Sequence, residues 1–345
     1  MNKFACVLFA LGVTACASLR NGREASAIYG IERENVPPHL VLDLPDTVGR
    51  VRFLDDDRLL YAVDGDLVIQ SIRDRRDRKV LHGHGRYVAD WDVSPDGKRI
   101  ASTSSDGTVR LWDARTGAAL AVSETVDTLS MPSWFILQDV MFSRDGKKVY
   151  TGDMDGIRTW SAKDCRLLST VPVDFYMREG FLAPDAKSTC SPVVLIYSGF
   201  EVMEWGGESL YYFQGPQSVL GYSPDGRTLL VAEDESGNMF GYDVPSIRRK
   251  KPQIKMIPYL RAGEATLCAA YSPDGRTLVS VAQGGMVYVW DVKTGLMRGT
   301  FPSGEEGIYA IAFDRSGTRF LVHGEYSNRV HVFDLESVLH DDSED

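Results

Sequence analysis

A tight-turn motif that returns about every forty residues constrains this chain more than any other feature. Its copies are "FLDDDR" (53–58), "VSPDGK" (93–98), "FSRDGK" (142–147), "LAPDAK" (182–187), "YSPDGR" (222–227), "YSPDGR" (271–276) and "FDRSGT" (313–318). From one turn to the next the steps are 40, 49, 40, 40, 49 and 42 residues. Self-similarity at a fixed period of this length is typical of repeat architectures. The series predicts seven units.

Each turn lies between two segments with strand character. In the second unit, "YVADWDV" (87–93) precedes the turn and "RIASTS" (99–104) follows it. Within the turn, proline presets φ, aspartate bonds its own backbone and glycine accepts positive φ. A third strand, "DGTVRLWD" (106–113), and a fourth, "AALAVS" (118–123), complete the unit. The pattern predicts four antiparallel strands per unit and an all-β chain.

With "GH" (83–84) before these strands and "WD" (112–113) after the third, the unit resembles the WD-repeat family. The resemblance covers residues 40 to 337 and implies a seven-bladed β-propeller of four-stranded antiparallel blades. The fourth unit, roughly 173–206, departs most, because "EWGG" (204–207) stands where the WD pair belongs. The strand "HLVLDLP" (39–45) has no partner in its own unit. We expect it to close the last blade as the outer strand, which protects that edge.

The same resemblance assigns a structural role to the residues of blade two that look most like a catalytic set. Four residues match the hydrogen-bonded tetrad of the family: His84, Ser102, Asp106 and Trp112. The family pattern implies that Asp orients His, that His bonds Ser, and that Ser bonds the indole N–H. A catalytic triad needs an exposed nucleophile at a cleft. We therefore expect no catalytic residue here. Blade three keeps Thr151, Asp155 and Trp160 without a histidine.

Two further groups of polar residues leave alternatives open. Asp90 and Asp92 lie in the predicted inner strand of blade two, where paired carboxylates could bind a cation or do acid–base work. The alternative is buried Asp side chains bonded to a neighbouring blade's backbone or to an arginine. His82 and His84 share a strand face, but a metal site needs a third ligand, and none is nearby in sequence. We predict no metal site and no cofactor.

Three loops are conspicuous. The segments "RDRRDRK" (73–79) and "RRKK" (248–251) are basic loops between third and fourth strands. They are either contacts for anionic headgroups or solvated turns. The long loop "DTLSMPSWF" (127–135) should emerge on the face of the tetrad turn. It carries the candidate partner-binding residues Met131, Pro132, Trp134 and Phe135, which either form an interface patch or cover the end of the channel.

The amino terminus has the pattern of an export signal. Lys3 precedes an apolar run from Phe4 to Val13, which is too short to span a membrane and is typical of a secretory signal peptide. "VTAC" (13–16) resembles the bacterial lipoprotein box, which implies cleavage before Cys16 and lipidation of its thiol. The alternatives are cleavage near Ala15 or Ala17, or a plain tail. By the sorting pattern of that family, Ala17 after the cysteine favours the outer membrane.

The predicted organisation is a signal peptide (1–15), a tether (16–38), a propeller (39–337) and an acidic tail (338–345). A net charge of −10 argues against a nucleic-acid binder. No C-x-x-C spacing occurs, and the pairing of Cys165, Cys190 and Cys268 stays open.

From this organisation we expect a non-enzymatic, lipid-anchored interaction scaffold of the bacterial cell envelope. As a monomeric ring, it would bind protein or peptide partners on the face of the tetrad turns. The alternatives are a propeller enzyme or cofactor-binding periplasmic protein that uses the central channel, and a cytosolic scaffold. Fold alone does not decide between them.

Overall fold

The computed structural model describes the greater part of the repeat region. The described residues are 31–32, 36–44, 48, 50–126, 137, 139–153, 156–172, 193–196, 199–203, 209–214, 217–233, 238–249, 254–261, 265–305, 307–324 and 327–339. Several predicted features lie outside them: the lipidation site Cys16, Cys190, and the loop residues Met131, Pro132, Trp134 and Phe135.

The strands form β-propeller blades, and each blade takes the number of its sequence unit. Blade one contains β3 (Val51–Phe53), β4 (Arg58–Val63), β5 (Asp66–Ser71) and β6 (Arg78–Leu81), and blade two contains β7 (Val88–Val93), β8 (Arg99–Ser104), β9 (Val109–Asp113) and β10 (Ala119–Val122). Blade three contains β11 (Asp139–Phe142), β12 (Lys148–Asp153), β13 (Gly156–Ser161) and β14 (Leu167–Pro172). Neighbouring strands in these blades pair antiparallel.

The second half of the chain repeats the arrangement. Unit four contributes β15 (Val193–Ile196), β16 (Gly199–Met203) and β17 (Ser209–Gln214), and blade five contains β18 (Gln217–Tyr222), β19 (Thr228–Glu233), β20 (Asn238–Asp243) and β21 (Ile254–Arg261). Blade six contains β22 (Thr266–Tyr271), β23 (Thr277–Ala282), β24 (Met286–Asp291) and β25 (Met297–Pro302), and blade seven contains β26 (Ile308–Phe313), β27 (Arg319–Gly324) and β28 (Arg329–Asp334) with β2 (Leu40–Asp43). Two short helices, α1 (Val244–Arg248) and α2 (Leu335–Leu339), follow β20 and β28.

The predicted count of seven four-stranded blades is wrong for the described residues. Five blades are sheets of four strands, blade six is a sheet of five, and unit four is a sheet of three strands. The turn of this unit has Ala186 where five of the other copies have glycine and unit one has Asp57. That turn lies outside the described residues.

The amino-terminal strand closes the ring. β2 pairs antiparallel with β28, with Leu40 opposite Val332 and Asp43 opposite Arg329, which confirms the predicted pairing. Leu42 and Leu44 are buried in one apolar cluster with residues of blades seven and one. The inner strand of blade seven, β26, also packs beside β3 of blade one. The last blade therefore meets the first, and the chain start joins them.

The predicted boundaries of the tether and the tail need correction. Ile31–Glu32 forms a strand, β1, which pairs in parallel with β25 and adds a fifth strand to blade six. Val36 is buried in the same apolar cluster as Val338 of α2. Part of the predicted tether (16–38) therefore belongs to the propeller, and the structured end of the chain extends past residue 337.

Four of the repeated turns share one construction, in which a serine hydroxyl donates to the turn aspartate. The Ser94 hydroxyl donates to Asp96 at 2.6 Å, and the Gly97 N–H closes the turn on the Ser94 carbonyl at 2.7 Å. Because neighbouring strands are antiparallel, these turns emerge on the same face as the loops between third and fourth strands. We call this the Ser-Asp face. The turns between second and third strands, with the links between blades, form the opposite face, called the tetrad face.

Arginines that begin second strands join neighbouring blades. Arg58 of blade one donates to the Ala114 carbonyl of blade two at 2.8 Å, and Arg99 of blade two donates to the Gly146 carbonyl of blade three at 2.8 Å. Arg319 of blade seven donates to the Asp56 carbonyl of blade one. Each bond satisfies a carbonyl of the next blade, so the blades are held by polar contacts as well as by their apolar faces.

Candidate functional site: the tetrad face of blade two

Four side chains of blade two form one continuous hydrogen-bonded chain. Asp106 Oδ2 lies 3.1 Å from His84 Nδ1, and His84 Nε2 lies 2.8 Å from Ser102 Oγ. Trp112 Nε1 donates to the same Ser102 Oγ at 2.9 Å. The structure thus brings together the four residues that the family resemblance singled out, across two strands, a turn and the link that precedes the blade.

The packing around Trp112 explains the glycine that precedes His84. A Cβ on Gly83 would lie 2.7 Å from Arg110 Nη1 and 2.9 Å from the Trp112 ring. Real Cβ atoms do not approach other heavy atoms so closely, and cores are packed with few voids. The "GH" pair is therefore a steric requirement of the tetrad.

The carboxylate of Asp106 is the anionic end of this chain. Burial alone would raise the pKa of Asp106, but hydrogen bonds from His84, Thr108 and Gly85 outweigh burial and hold its pKa well below the usual range. Both oxygens are used, since Gly85 N donates to Oδ2 at 2.9 Å and Thr108 Oγ1 donates to Oδ1 at 2.7 Å. The charge is fixed by the fold and stabilises the turn.

This arrangement does not suit nucleophilic chemistry. Ser102 is fully buried, at 0% exposure, and its hydroxyl oxygen already meets both His84 and Trp112. An attacking hydroxyl must reach a substrate at a cleft. The geometry instead satisfies buried polar atoms, each of which would otherwise be costly to leave unpaired.

Other blades keep a shorter version of this chain. In blade three Trp160 Nε1 donates to Thr151 Oγ1 at 2.9 Å, and in blade six Trp290 Nε1 donates to Ser280 Oγ at 2.9 Å. In blade seven Phe333 occupies the register position of the tryptophan, so the ring has no N–H to donate. Asp155 of blade three lies outside the described residues.

A fixed aromatic residue lies beside the tetrad on the surface. Tyr87 is 61% exposed, while its carbonyl accepts from Ser105 N at 3.0 Å. The preceding residue, Arg86, is exposed, and its carbonyl accepts from Ser104 Oγ at 3.1 Å. The repeat pattern did not predict this pair. Its one signal was an aromatic residue just ahead of a predicted inner strand, in the link that also carries His84.

The structure resolves the alternatives for Asp90 and Asp92 in favour of contacts between blades. Asp90 Oδ1 accepts from Arg50 of blade one at 3.0 Å, and Asp90 Oδ2 accepts from the Val140 N–H of blade three at 3.2 Å. Asp92 Oδ2 accepts from the Phe142 N–H at 2.7 Å. Burial raises the pKa of Asp92 to about 6, against the lowering effects of that N–H and of Arg52. The two carboxylates connect three inner strands.

The histidine and cysteine candidates lie apart from this network. His82 is a surface residue whose Nδ1 lies 2.9 Å from Asp66 Oδ2. Among the described residues no group of three potential ligands could hold a metal ion. Cys165 and Cys268 are free thiols, and burial raises the pKa of each to about 12. Their thiolates are therefore scarcely populated near neutral pH.

Comparison with known proteins identifies two stretches of the chain. The family described as "WD domain, G-beta repeat" matches residues 75–113 and 261–291. Apoptotic protease-activating factor 1 of Rattus norvegicus is 26% identical over 207 residues, which cover 55% of this chain and 16% of that protein. Eukaryotic translation initiation factor 3 subunit I of Coccidioides immitis is 30% identical over 105 residues, which cover 30% of this chain and 28% of that protein. The chain spans less than a third of each relative.

Solved structures agree on the architecture. A chain of the Mitotic Checkpoint Complex crystal structure has a TM-score of 0.67 at 11% identity, covering 88% of this chain and 93% of that chain. A chain of Kuenenia stuttgartiensis hydrazine synthase has a TM-score of 0.63 at 16% identity, covering 86% of this chain and 97% of that chain. At these identities the likeness shows the fold alone. The molecule is therefore an all-β propeller, two stretches of which match the WD-domain repeat family.

Proposed function

We propose that this chain is a non-enzymatic interaction scaffold that binds protein or peptide partners through its tetrad face. The observation that carries the proposal is the exposed pair Arg86 and Tyr87, whose backbone is held in place beside a fully bonded tetrad. Tyrosine and arginine are enriched among the residues that dominate binding energy. A rigid backbone lowers the entropy cost of binding.

Two of the similar proteins support an assembly role by their names. One is a subunit of a translation initiation factor, and one comes from a structure of a checkpoint complex. Hydrazine synthase is an enzyme by its name, but its likeness to this chain concerns the fold. We carry over from these proteins only the tendency of the fold to act within assemblies.

Chemical crosslinking and capture from native cells tests the proposal. We expect Tyr87→Ala to lose at least one partner that the wild type captures. Trp134→Ala tests the predicted loop patch in the same experiment. Leu168→Ala is the matched control, because Leu168 is an exposed apolar residue, 41% accessible, on the outer strand of blade three. Identical partner lists for wild type and both tetrad-face variants would remove the proposed binding face.

The proposed location is the bacterial cell envelope, with the propeller held at the outer membrane by a lipid on Cys16. The "VTAC" motif and the apolar run before it support this location. Among the described residues no helix is long and apolar enough to cross a membrane. Metabolic labelling with palmitate tests the anchor: we expect label on the wild type and none on Cys16→Ser. Equal labelling of the two proteins would end the lipid proposal.

One observation favours the rival function, an enzyme or cofactor protein that uses the channel. The raised pKa of Asp92, about 6, would suit proton transfer near neutral pH. Because Asp92 Oδ2 is bonded to the backbone of blade three, we assign the residue to the contact between blades. Capture of the same partners by Asp92→Asn and wild type is the expected result, and loss of a turnover activity in that variant would favour the rival.

A further inference from the structure

The loop between β5 and β6 of blade one concentrates positive charge on an acidic chain. We call residues 73–79 the arginine loop. It contains five basic and two acidic residues, in a chain whose net charge is −10. Residues 73–78 are all exposed, and the loop lies on the Ser-Asp face. The loop therefore carries a net positive charge, whereas the chain as a whole is acidic.

Hydrogen bonds from the side chains that precede the arginine loop hold its backbone in place. Gln70 is buried, at 5% exposure, and its amide nitrogen lies 3.2 Å from the carbonyl oxygens of both Ser71 and Arg75. Ser71 Oγ accepts from the N–H groups of Arg73 and Asp74, each at 3.2 Å. A solvated turn needs no buried amide beneath it. The loop is therefore a preorganised display of its side chains.

Some of the charged side chains are oriented by contacts at the edge of the loop. Arg73 Nε donates to Asp57 Oδ1 at 2.8 Å, and Arg75 lies 3.7 Å from Asp43 and donates to the Val41 carbonyl at 3.3 Å. These side chains stay 75% and 61% exposed. Within the described part of the chain, the guanidinium groups of Arg76 and Arg78 form no ion pair.

The strand β2 begins beside this loop. Because β2 runs antiparallel to β28, it begins at the Ser-Asp face with Leu40, and Arg75 contacts its next residue, Val41. A second basic position on the same face is Arg249, exposed after α1. The start of β2 and the arginine loop therefore share the Ser-Asp face, while the chain before β2 passes to blade six, where β1 pairs with β25.

From these observations we propose that the arginine loop docks on the surface of an anionic lipid bilayer. Guanidinium groups bind phosphate oxygens through paired N–H donors, and basic residues near an anionic leaflet are attracted to it. The inference rests on the proposed envelope location. It orients the Ser-Asp face toward the membrane and leaves Arg86 and Tyr87, on the opposite face, turned toward partners.

Vesicle co-sedimentation tests this docking with the full-length chain carrying Cys16→Ser, so that no lipid anchor contributes. The vesicles are phosphatidylcholine with and without phosphatidylglycerol. We expect the parent to bind the anionic vesicles preferentially and the double variant Arg76→Gln, Arg78→Gln to bind them roughly 30-fold less, about fivefold per charge. Added salt should weaken the parent's binding, since exposed charges are screened.

The matched control is the double variant Lys163→Gln, Lys293→Gln, which removes the same charge from exposed positions of blades three and six. It should bind anionic vesicles as the parent does. Equal binding of the parent to both kinds of vesicle, or equal loss in both double variants, would overturn the proposal. Retention of RNA by the loop in place of vesicles would also overturn it. None of these outcomes bears on palmitate labelling of Cys16 or on partner capture, so the proposals fail separately.

Discussion

At the scale of single residues, the polar side chains of this molecule hold its blades together. Ser102 receives the indole N–H of Trp112 and meets His84, whereas Ser280 receives the indole N–H of Trp290 and, among the described residues, meets no histidine. Both serines are fully buried, at 0% exposure. Comparing the two serines therefore shows how much stability the histidine and the aspartate add to blade two.

Ser102→Ala should therefore destabilise the protein more than Ser280→Ala. The first change leaves two buried nitrogens without a partner, and the second leaves one. With a cost of about 1–3 kcal/mol for each unsatisfied buried group, we expect losses of about 2–4 and about 1–2 kcal/mol. Denaturant unfolding measures both values. Equal losses would show that the longer chain adds no stability.

The charge of Asp106 predicts how the stability of the protein changes at low pH. Its folded pKa is depressed, so its contribution is present above its unfolded pKa, near 4, and is lost as pH falls toward the folded value. Asp106→Asn should reduce stability at pH 7 by about 1–3 kcal/mol. As pH falls from 5 to 3, the stability of this variant should decrease less than that of the wild type.

Unfolding curves at several pH values provide the test. Glu124→Gln is the control, since Glu124 is an exposed carboxylate at the end of the same blade, and it should follow the wild type throughout. An Asp106→Asn variant that matched wild type at pH 7 would contradict the assigned role of this carboxylate.

Asp90 and Asp92, two residues apart on β7, should respond to substitution with opposite signs. The pKa of Asp92 is raised from 3.8 to about 6, so the folded state holds the extra proton and stability falls as pH rises from about 4 to 6. Asp92→Asn removes that fall and should stabilise the protein at pH 8 by about 1–2 kcal/mol. Asp90→Asn should destabilise it, because the ion pair between Asp90 and Arg50 is lost. Thermal unfolding at pH 8 distinguishes the two, and shifts of the same sign would refute the assignment.

At the scale of strands, the local turn chemistry allowed the strands of each blade to be predicted from the sequence. Pairings between segments that are distant in the sequence could not be predicted in this way. Turns such as residues 94–97 carry their own hydrogen bonds, so the strands on either side could be placed from the sequence. β1 could not be predicted, because two residues give no periodic signal and their partner, β25, is far along the chain. The backbone partners of Asp92 and Arg58 also lie in neighbouring blades, beyond any local pattern.

Removal of β2 should cost far more than removal of the chain that precedes the described residues. Leu42 and Leu44 are 2% and 3% exposed, and burial of each leucine contributes about 1.5–3 kcal/mol. We expect a protein lacking residues 1–44 to lose on the order of 5 kcal/mol and to aggregate through the exposed edge of β28. A protein lacking residues 1–30 should unfold like the full chain. Thermal unfolding and size-exclusion chromatography report both effects, and equal behaviour of the two truncations would contradict the closure.

At the scale of the whole molecule, the repeated motif predicted the propeller architecture. It did not predict the number of strands in unit four. Six units have the four strands that the repeat predicts, whereas unit four has three described strands. Part of the candidate site could likewise be predicted from the sequence, and part could not. The tetrad could be predicted because its spacing repeats a family pattern, but Arg86, Tyr87 and the buried amide of Gln70 belong to no repeat and became apparent only from their contacts.

The amino-terminal strand closes the propeller into a rigid ring, and native-state hydrogen exchange tests this closure directly. Leu44 N–H bonds to the Asn328 carbonyl at 2.6 Å, and β2 pairs along its length with β28. The closed ring predicts that the bonded amides of Leu40–Leu44 exchange as slowly as those between β27 and β28. Exchange of the Leu40–Leu44 amides at unfolded-chain rates, with β27 and β28 still protected, would contradict it.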